Sequence, residues 1–210
     1  MMTRRLLQLL IGLAMYGVSL AMFIRAGLGL DPWDVFHQGI AVKTGLSIGT
    51  VVVIVSFLVL LLWIPLRQWP GVGTLCNAVL VGVFADIGLA LIPAFAHLGG
   101  QAGMLAGAIL LNGVASACYI GARLGPGARD GLMTGLARRT GWSVRASRTG
   151  IEVVVLGAGW LLGGSVGIGT VLYALAIGPL VQLLLPRFTV PEPKERKVRE
   201  LAAEPAVAAP

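Results

Sequence analysis

Apolar residues in this chain fall into long runs separated by short polar interludes, and both recur. Runs near the ~20 residues that carry a helix across a hydrocarbon core occupy roughly residues 6–24, 47–66, 72–93, 101–120, 149–164 and 168–186. A polar stretch too short to cross lies between the first and second runs, and another between the fourth and fifth. Asp34, Gly39, Ala41, Thr44, Gly45 and Ser47 of the first stretch recur as Asp130, Gly135, Ala137, Thr140, Gly141 and Ser143 of the second, 96 residues later. Gly71-Val72-Gly73-Thr74 recurs as Gly167-Ile168-Gly169-Thr170 at the same offset. Two blocks at one offset indicate an internal duplication. It divides the chain into a first membrane repeat (1–97), a second (98–190) and a tail (191–210).

Three runs per repeat is an odd number, so the second copy enters the bilayer from the opposite side, as in the inverted repeats of many secondary transporters. The expected fold is therefore an all-α integral membrane protein: six transmembrane helices as two inverted three-helix repeats, each with a short extra helix after its first span. Composition agrees, with 57% hydrophobic residues, 12% charged and a mean hydropathy of +0.88, far from soluble averages. The net charge of +7 reports topology. With the N-terminus inside, fourteen of the sixteen Lys and Arg residues fall on the cytoplasmic side and only Arg25 and Lys43 outside, as the positive-inside rule requires. Both termini are expected in the cytoplasm, and nucleic acid is excluded as a partner.

Thr3-Arg4-Arg5 before an apolar stretch resembles an export signal, but a run to Ile24 exceeds an h-region of ~7–15 residues, so the first span is read as retained. Cys76 and Cys118 fall within spans, without metal-site spacing. The tail, rich in Pro, Ala and charge, reads as a disordered cytoplasmic end.

The densest chemistry lies in Gly27-Leu-Gly-Leu-Asp31-Pro32-Trp33-Asp34-Val-Phe36-His37-Gln38-Gly39. Asp31 is an N-cap, Pro32 suits the first helical position, and Asp34 stands where a capping-box acid would reach back. The predicted helix stops at Thr44-Gly45, too short to cross. Trp33, Phe36 and Ile40 share one face, with Asp34, His37 and Gln38 largely off it. The second copy keeps the acid as Asp130 but loses the aromatic and the His. Two readings stay open: either each short helix re-enters the bilayer so that its N-terminus and acid line a polar pathway, or each lies in the interface as an amphipathic connector with Trp33 as a belt residue.

These residues resemble a known group. Gly27-Leu28-Gly29, Pro32-Trp33-Asp34 and Gly39, followed by Thr44-Gly45 and Gly71-x-Gly73-Thr74, are similar to the YczE/YitT-type family of bacterial multi-pass membrane proteins over about residues 5–190, closer to the YczE branch. The resemblance implies a bacterial plasma-membrane location. Association of some members with antibiotic production or export implies transport. It supplies no site residue, and the second copy departs from the signature at Ala128 and Arg129, where Pro and Trp would stand.

An ionisable group within a span costs roughly 2.5–3.5 kcal/mol at a helix centre and is a functional candidate by default. Asp86, inside the third span, is the first candidate for a coupling carboxylate; its repeat partner is Gln182. Glu152 stands four residues after Arg148, at ion-pair spacing. Tyr16 and Asn112 occupy equivalent mid-span positions, and with Asn77 they either line a cavity or join helices. Glycines 71, 73, 167 and 169 read as sites of close helix approach, as do 157, 159, 163 and 164 in the fifth span.

The leading expectation is secondary transport, in the sense of export, of a small molecule around a midplane site. Its pathway candidates are Asp86, Asp34, Asp130, Trp33, His37, Tyr16, Asn112 and Asn77. Lipid, a small-molecule substrate and a coupling ion are the expected partners, and a homo-oligomer stays open. The alternatives are a non-transporting accessory protein acting through its basic inner loop, Arg123 to Arg148, and a passive channel. No enzyme is expected, with no catalytic residue, metal or cofactor: no nucleophile stands with a base, and the two histidines, His37 and His97, are both placed outside.

Overall fold

The computed structural model describes residues 2–190; Met1 and the tail 191–210, read above as a disordered end, lie outside the described residues. Among the described residues there are eight helices and no strand: α1 (Met2–Ala26), α2 (Pro32–Thr44), α3 (Ile48–Trp63), α4 (Val72–Leu91), α5 (Leu98–Gly121), α6 (Ala128–Thr140), α7 (Val144–Leu161) and α8 (Ile168–Phe188). Helix bounds in the second half fall 96 residues after those in the first, to within two residues at every end.

Four helices, α1, α4, α5 and α8, are long and apolar enough to cross a membrane, and α2 with α3 makes a fifth candidate if the pair counts as one span bent by 115°. This is fewer than the six spans expected. The second and fifth apolar runs become α3 and α7, of 16 and 18 residues, and the reasons are local. Ser47 caps α3, its side chain accepting from the Thr50 amide at 3.2 Å, and Pro65 stops the helix one turn early. In α7 the first turns carry Arg145, Arg148 and Glu152, which shortens its apolar part. The outward faces remain oily, with Leu10 and Ile11, Leu58 and Leu61, and Val171 and Leu175 all exposed, as lipid contact requires.

The short helices end alike. Gly45 and Gly141 take left-handed conformations (φ 74° and 75°) and return their amides to Ala41 and Ala137, each at 2.9 Å, a C-cap that L side chains adopt only with strain. Within four residues the chain then enters α3 or α7.

Packing is exchanged between the halves. α1 packs along α5 and α4, α5 along α8, and each short helix sits on the helix that follows the other one: α2 on α7 and α6 on α3. Two clasps fix this. The Gly73 amide at the start of α4 donates to the Leu124 carbonyl before α6, and the Gly169 amide at the start of α8 donates to the Leu28 carbonyl before α2, both at 2.8 Å. A Cβ on Gly71 would meet the Leu124 oxygen at 2.5 Å, and one on Gly167 would overlap the Leu28 oxygen. The Gly-x-Gly-Thr runs thus serve helix starts against connecting segments. Of the four fifth-span glycines, Gly159 and Gly164 press on Phe36 and Val35, Gly163 turns the chain at φ 100°, and Gly157 meets nothing.

These contacts separate glycines with a steric role from those without one. Gly39→Val puts a Cβ 2.6 Å from the Gly159 oxygen and should destabilise the protein by roughly 1–3 kcal/mol or more, whereas Gly157→Ala should be neutral or stabilising by up to about 1 kcal/mol. Thermal unfolding of the two variants in detergent measures the contrast; equal melting temperatures would refute it.

Candidate functional site

The polar interior begins with the cap that the sequence predicts. Asp31, extended at φ −65°, ψ 160°, accepts the Asp34 amide at 2.8 Å, and Pro32 opens α2. The helix starts in the protein interior and not at its surface: Asp31, Trp33, Asp34 and His37 are all 5% exposed or less, whereas Lys43 and Thr44 at the far end are exposed. Trp33, Phe36 and Ile40 do share a face, in one apolar cluster, but the opposite polar side is not exposed. Trp33 is buried and does not stand out as a belt residue, and the polar side of the helix, with Asp34 and His37, is buried along with its aromatic. Asp34 turns to His37 Nδ1 at 3.2 Å instead of back to its cap.

The first turn of α6 meets the first turn of α2. Arg129, at the repeat position of Trp33, reaches across to Asp31 with Nη1 at 3.3 Å from Oδ2, donates to the Tyr16 hydroxyl of α1, and sets its guanidinium carbon 5.8 Å from both the Tyr16 and the Trp33 ring centroids. One cation thus carries a charge-assisted hydrogen bond and two ring contacts. Its neighbour Asp130 accepts from the Tyr119 hydroxyl at 3.1 Å, and Tyr119 stacks edge-on to Tyr16 with centroids 6.0 Å apart.

Around these groups lies a cavity of about 260 Å³, just below the usual range for ligand pockets. Six of the eight predicted candidates line it: Asp34, Asp130, Trp33, His37, Tyr16 and Asn77. Asn112 stands one layer behind, donating to Ser19 Oγ at 2.9 Å and accepting from the Tyr173 hydroxyl at 3.2 Å, so it positions a tyrosine that does line the cavity. Asp86 is elsewhere. Its carboxylate accepts from Ser47 Oγ at 2.6 Å and from the Gly49 amide at 2.8 Å, which makes it a tie between α4 and the N-terminus of α3, favoured by the helix dipole. Its repeat partner Gln182 does line the cavity.

Local pattern could not identify the remaining lining groups. Arg129 sits in an arginine-rich stretch and counts there as a topology signal, yet only 26% of its side chain is exposed. Asp31 is a cap and a counter-ion at once. Arg148 and Glu152 form the expected pair, Nε to Oε1 at 2.8 Å, and also line the cavity. Tyr119 and Tyr173 carried no signal beyond their hydroxyls. The Trp33 indole N–H is buried without a hydrogen-bond partner, an uncommon state for a buried donor.

Two substitutions follow from this geometry. Arg129→Ala leaves Asp31, 3% exposed, buried without its cation and should cost about 2–4 kcal/mol, somewhat below the full-burial figure because Arg129 itself is partly solvated. In a double-mutant cycle with Asp31→Asn the losses should be strongly sub-additive; additive losses in thermal unfolding would remove the pair. Asp86→Asn should cost about 1–2 kcal/mol through its two lost interactions and leave accessibility of the cavity unchanged.

Relatives are known from bacteria. The chain is 40% identical over 178 residues to an uncharacterized protein of Haemophilus influenzae, covering 84% of this chain and 81% of that one. It is 36% identical over 173 residues to the uncharacterized membrane protein YczE of Bacillus subtilis, covering 82% and 80%, and 27% identical over 183 residues to the Bacillus subtilis protein YyaS, covering 84% and 90%. No solved structure matches. Residues 3–186 match the family of unknown function DUF6198, and this membrane protein, YczE-like in sequence, belongs to that family.

Proposed function

We propose that this protein is a secondary transporter of a small molecule, with two inverted repeats, 1–97 and 98–190, that alternate access to the central cavity across the bacterial plasma membrane. α3 and α7 complete the six spans with help from the short helices before them. The observation that carries the proposal is that the first turns of α2 and α6, one from each repeat, meet at a polar cavity lined by both halves. Short helices whose N-termini face a midplane site are the device by which inverted-repeat transporters bind substrate. Irregular backbone at that depth is tolerated where protein or a cavity covers it. N-in, C-in orientation accords with the basic residues, even with Arg129 and Arg148 removed from the count because they line the cavity.

A second reading has its own observation. The α6–α7 connection exposes Arg138, Arg139 and Arg145 together with Trp142, which is 60% exposed. Such a surface suits an accessory protein docked on a partner, and it needs no pathway through the molecule.

Single cysteines separate the two. In a Cys76→Ala, Cys118→Ala background, Ser116→Cys in the cavity should react with membrane-impermeant thiol reagents from either side of sealed, oriented vesicles. Trp142→Cys should react from one side alone and calibrate the orientation. Labelling of position 116 from one side only, or from neither, overturns alternating access and favours the accessory role.

A further inference from the structure

We infer that the substrate is a compact organic cation with an apolar or aromatic body, held by Asp34 and Asp130; the inference rests on the transporter reading above. Four carboxylates line the cavity, Asp31, Asp34, Asp130 and Glu152, against two guanidiniums, Arg129 and Arg148. Both guanidiniums are engaged, Arg129 with Asp31 and Arg148 with Glu152. Asp34 and Asp130 have no such partner: Asp34 meets a His37 ring nitrogen and Asp130 the Tyr119 hydroxyl. Two acids are thus left without a guanidinium partner.

The helix starts do not reverse the sign. Each helix N-terminus contributes roughly half a positive charge, so α2 and α6 together offset about one of the two. An anionic substrate would meet two acids that no guanidinium offsets, and at the start of α2 the oxygen of Asp31 already holds the Asp34 amide. A cation meets the opposite.

The remaining wall fits the rest of such a molecule. Tyr119 and Tyr173 present rings, and Val52, Val55, Val59 and Val81 form an aliphatic side. Carboxylates beside aromatic faces are the arrangement that recognises alkylated ammonium groups. The protein already shows the preference within its own chain, because Arg129 is held in this manner by one carboxylate and two rings, Tyr16 and Trp33. Arg129 serves as a fixed cation that neutralises Asp31 and leaves the other two acids to the substrate.

The test is binding to the full chain in lipid nanodiscs, read as a shift in thermal unfolding. The probes are benzyltrimethylammonium, the anion benzoate and the neutral benzyl alcohol. Benzyltrimethylammonium should stabilise saturably and the other two should not. Asp130→Asn and Asp34→Asn should each weaken its apparent affinity at least ten-fold, and Asp86→Asn, outside the cavity, should not. Asp130→Asn, which keeps its shape and the Tyr119 contact, decides the matter if Asp34→Asn fails to fold. Saturable stabilisation by benzoate instead, no response to the cation, or a cation response unmoved by Asp130→Asn would each overturn the inference. The assay is independent of transport: two-sided labelling of position 116 with benzoate binding sinks the cation and keeps the transporter, whereas cation binding with one-sided labelling keeps cation recognition and sinks the transporter.

Discussion

Backbone that leaves helical geometry inside an apolar protein must find its hydrogen bonds elsewhere, and the rest of this structure depends on how that is done. The segments 27–31 and 124–127 interrupt the helices just before α2 and α6. Leu28 and Leu124 give their carbonyls to the amides that open α8 and α4, the Leu30 amide reaches the Ser165 carbonyl at 3.3 Å, and Thr74 Oγ1 donates to the Pro126 carbonyl at 2.7 Å. Every donor or acceptor in this set comes from the opposite repeat. Unmatched, each would cost several kcal/mol in lipid; matched, they lock the two halves together at the point where both short helices begin.

That lock determines where charge can sit. Helix starts held in the interior carry unsatisfied amides and positive dipole ends, so the first turns of α2 and α6 favour acids, and Asp31, Asp34 and Asp130 occupy those places. Three carboxylates in so small a volume need compensation. Arg129 supplies part of it from the one position where the second repeat abandons the aromatic of the first, and Trp33 becomes the ring on which its own repeat partner rests. The duplication was broken where the two copies touch.

The same asymmetry recurs in the scaffold. Where α2 lies on α7, Gly39 and Gly159 bring two backbones together; where α6 lies on α3, the counterpart of Gly159 is Trp63, whose indole N–H donates to the Ala128 carbonyl at 3.0 Å. One interface is a close backbone contact and the other a large side chain hydrogen-bonded to a helix start. The Arg129–Asp31 pair bridges the two halves of the chain at the cavity wall.

Much of this was legible in the residues. Membrane class, the duplication, the capped short helices and the identity of Asp34, Asp130, Trp33, His37, Tyr16 and Asn77 as site candidates all rest on local properties, namely hydropathy, cap chemistry and the offset between copies. Local pattern failed where the answer lay in a partner far along the chain. Asp86 carried the strongest intramembrane signal, yet its partners Ser47 and Gly49, 39 and 37 residues away, make it a helix cap. Arg129 read as one of many inner-loop arginines, and its partners are 98 and 113 residues distant. Hydropathy says what each residue prefers on average, and it determined that this chain belongs in a membrane. Only the tertiary structure decided which acids face a cavity and which tie helices together, because a charge takes its role from the groups within a few ångströms of it, and in an exchanged fold those groups come from the other repeat.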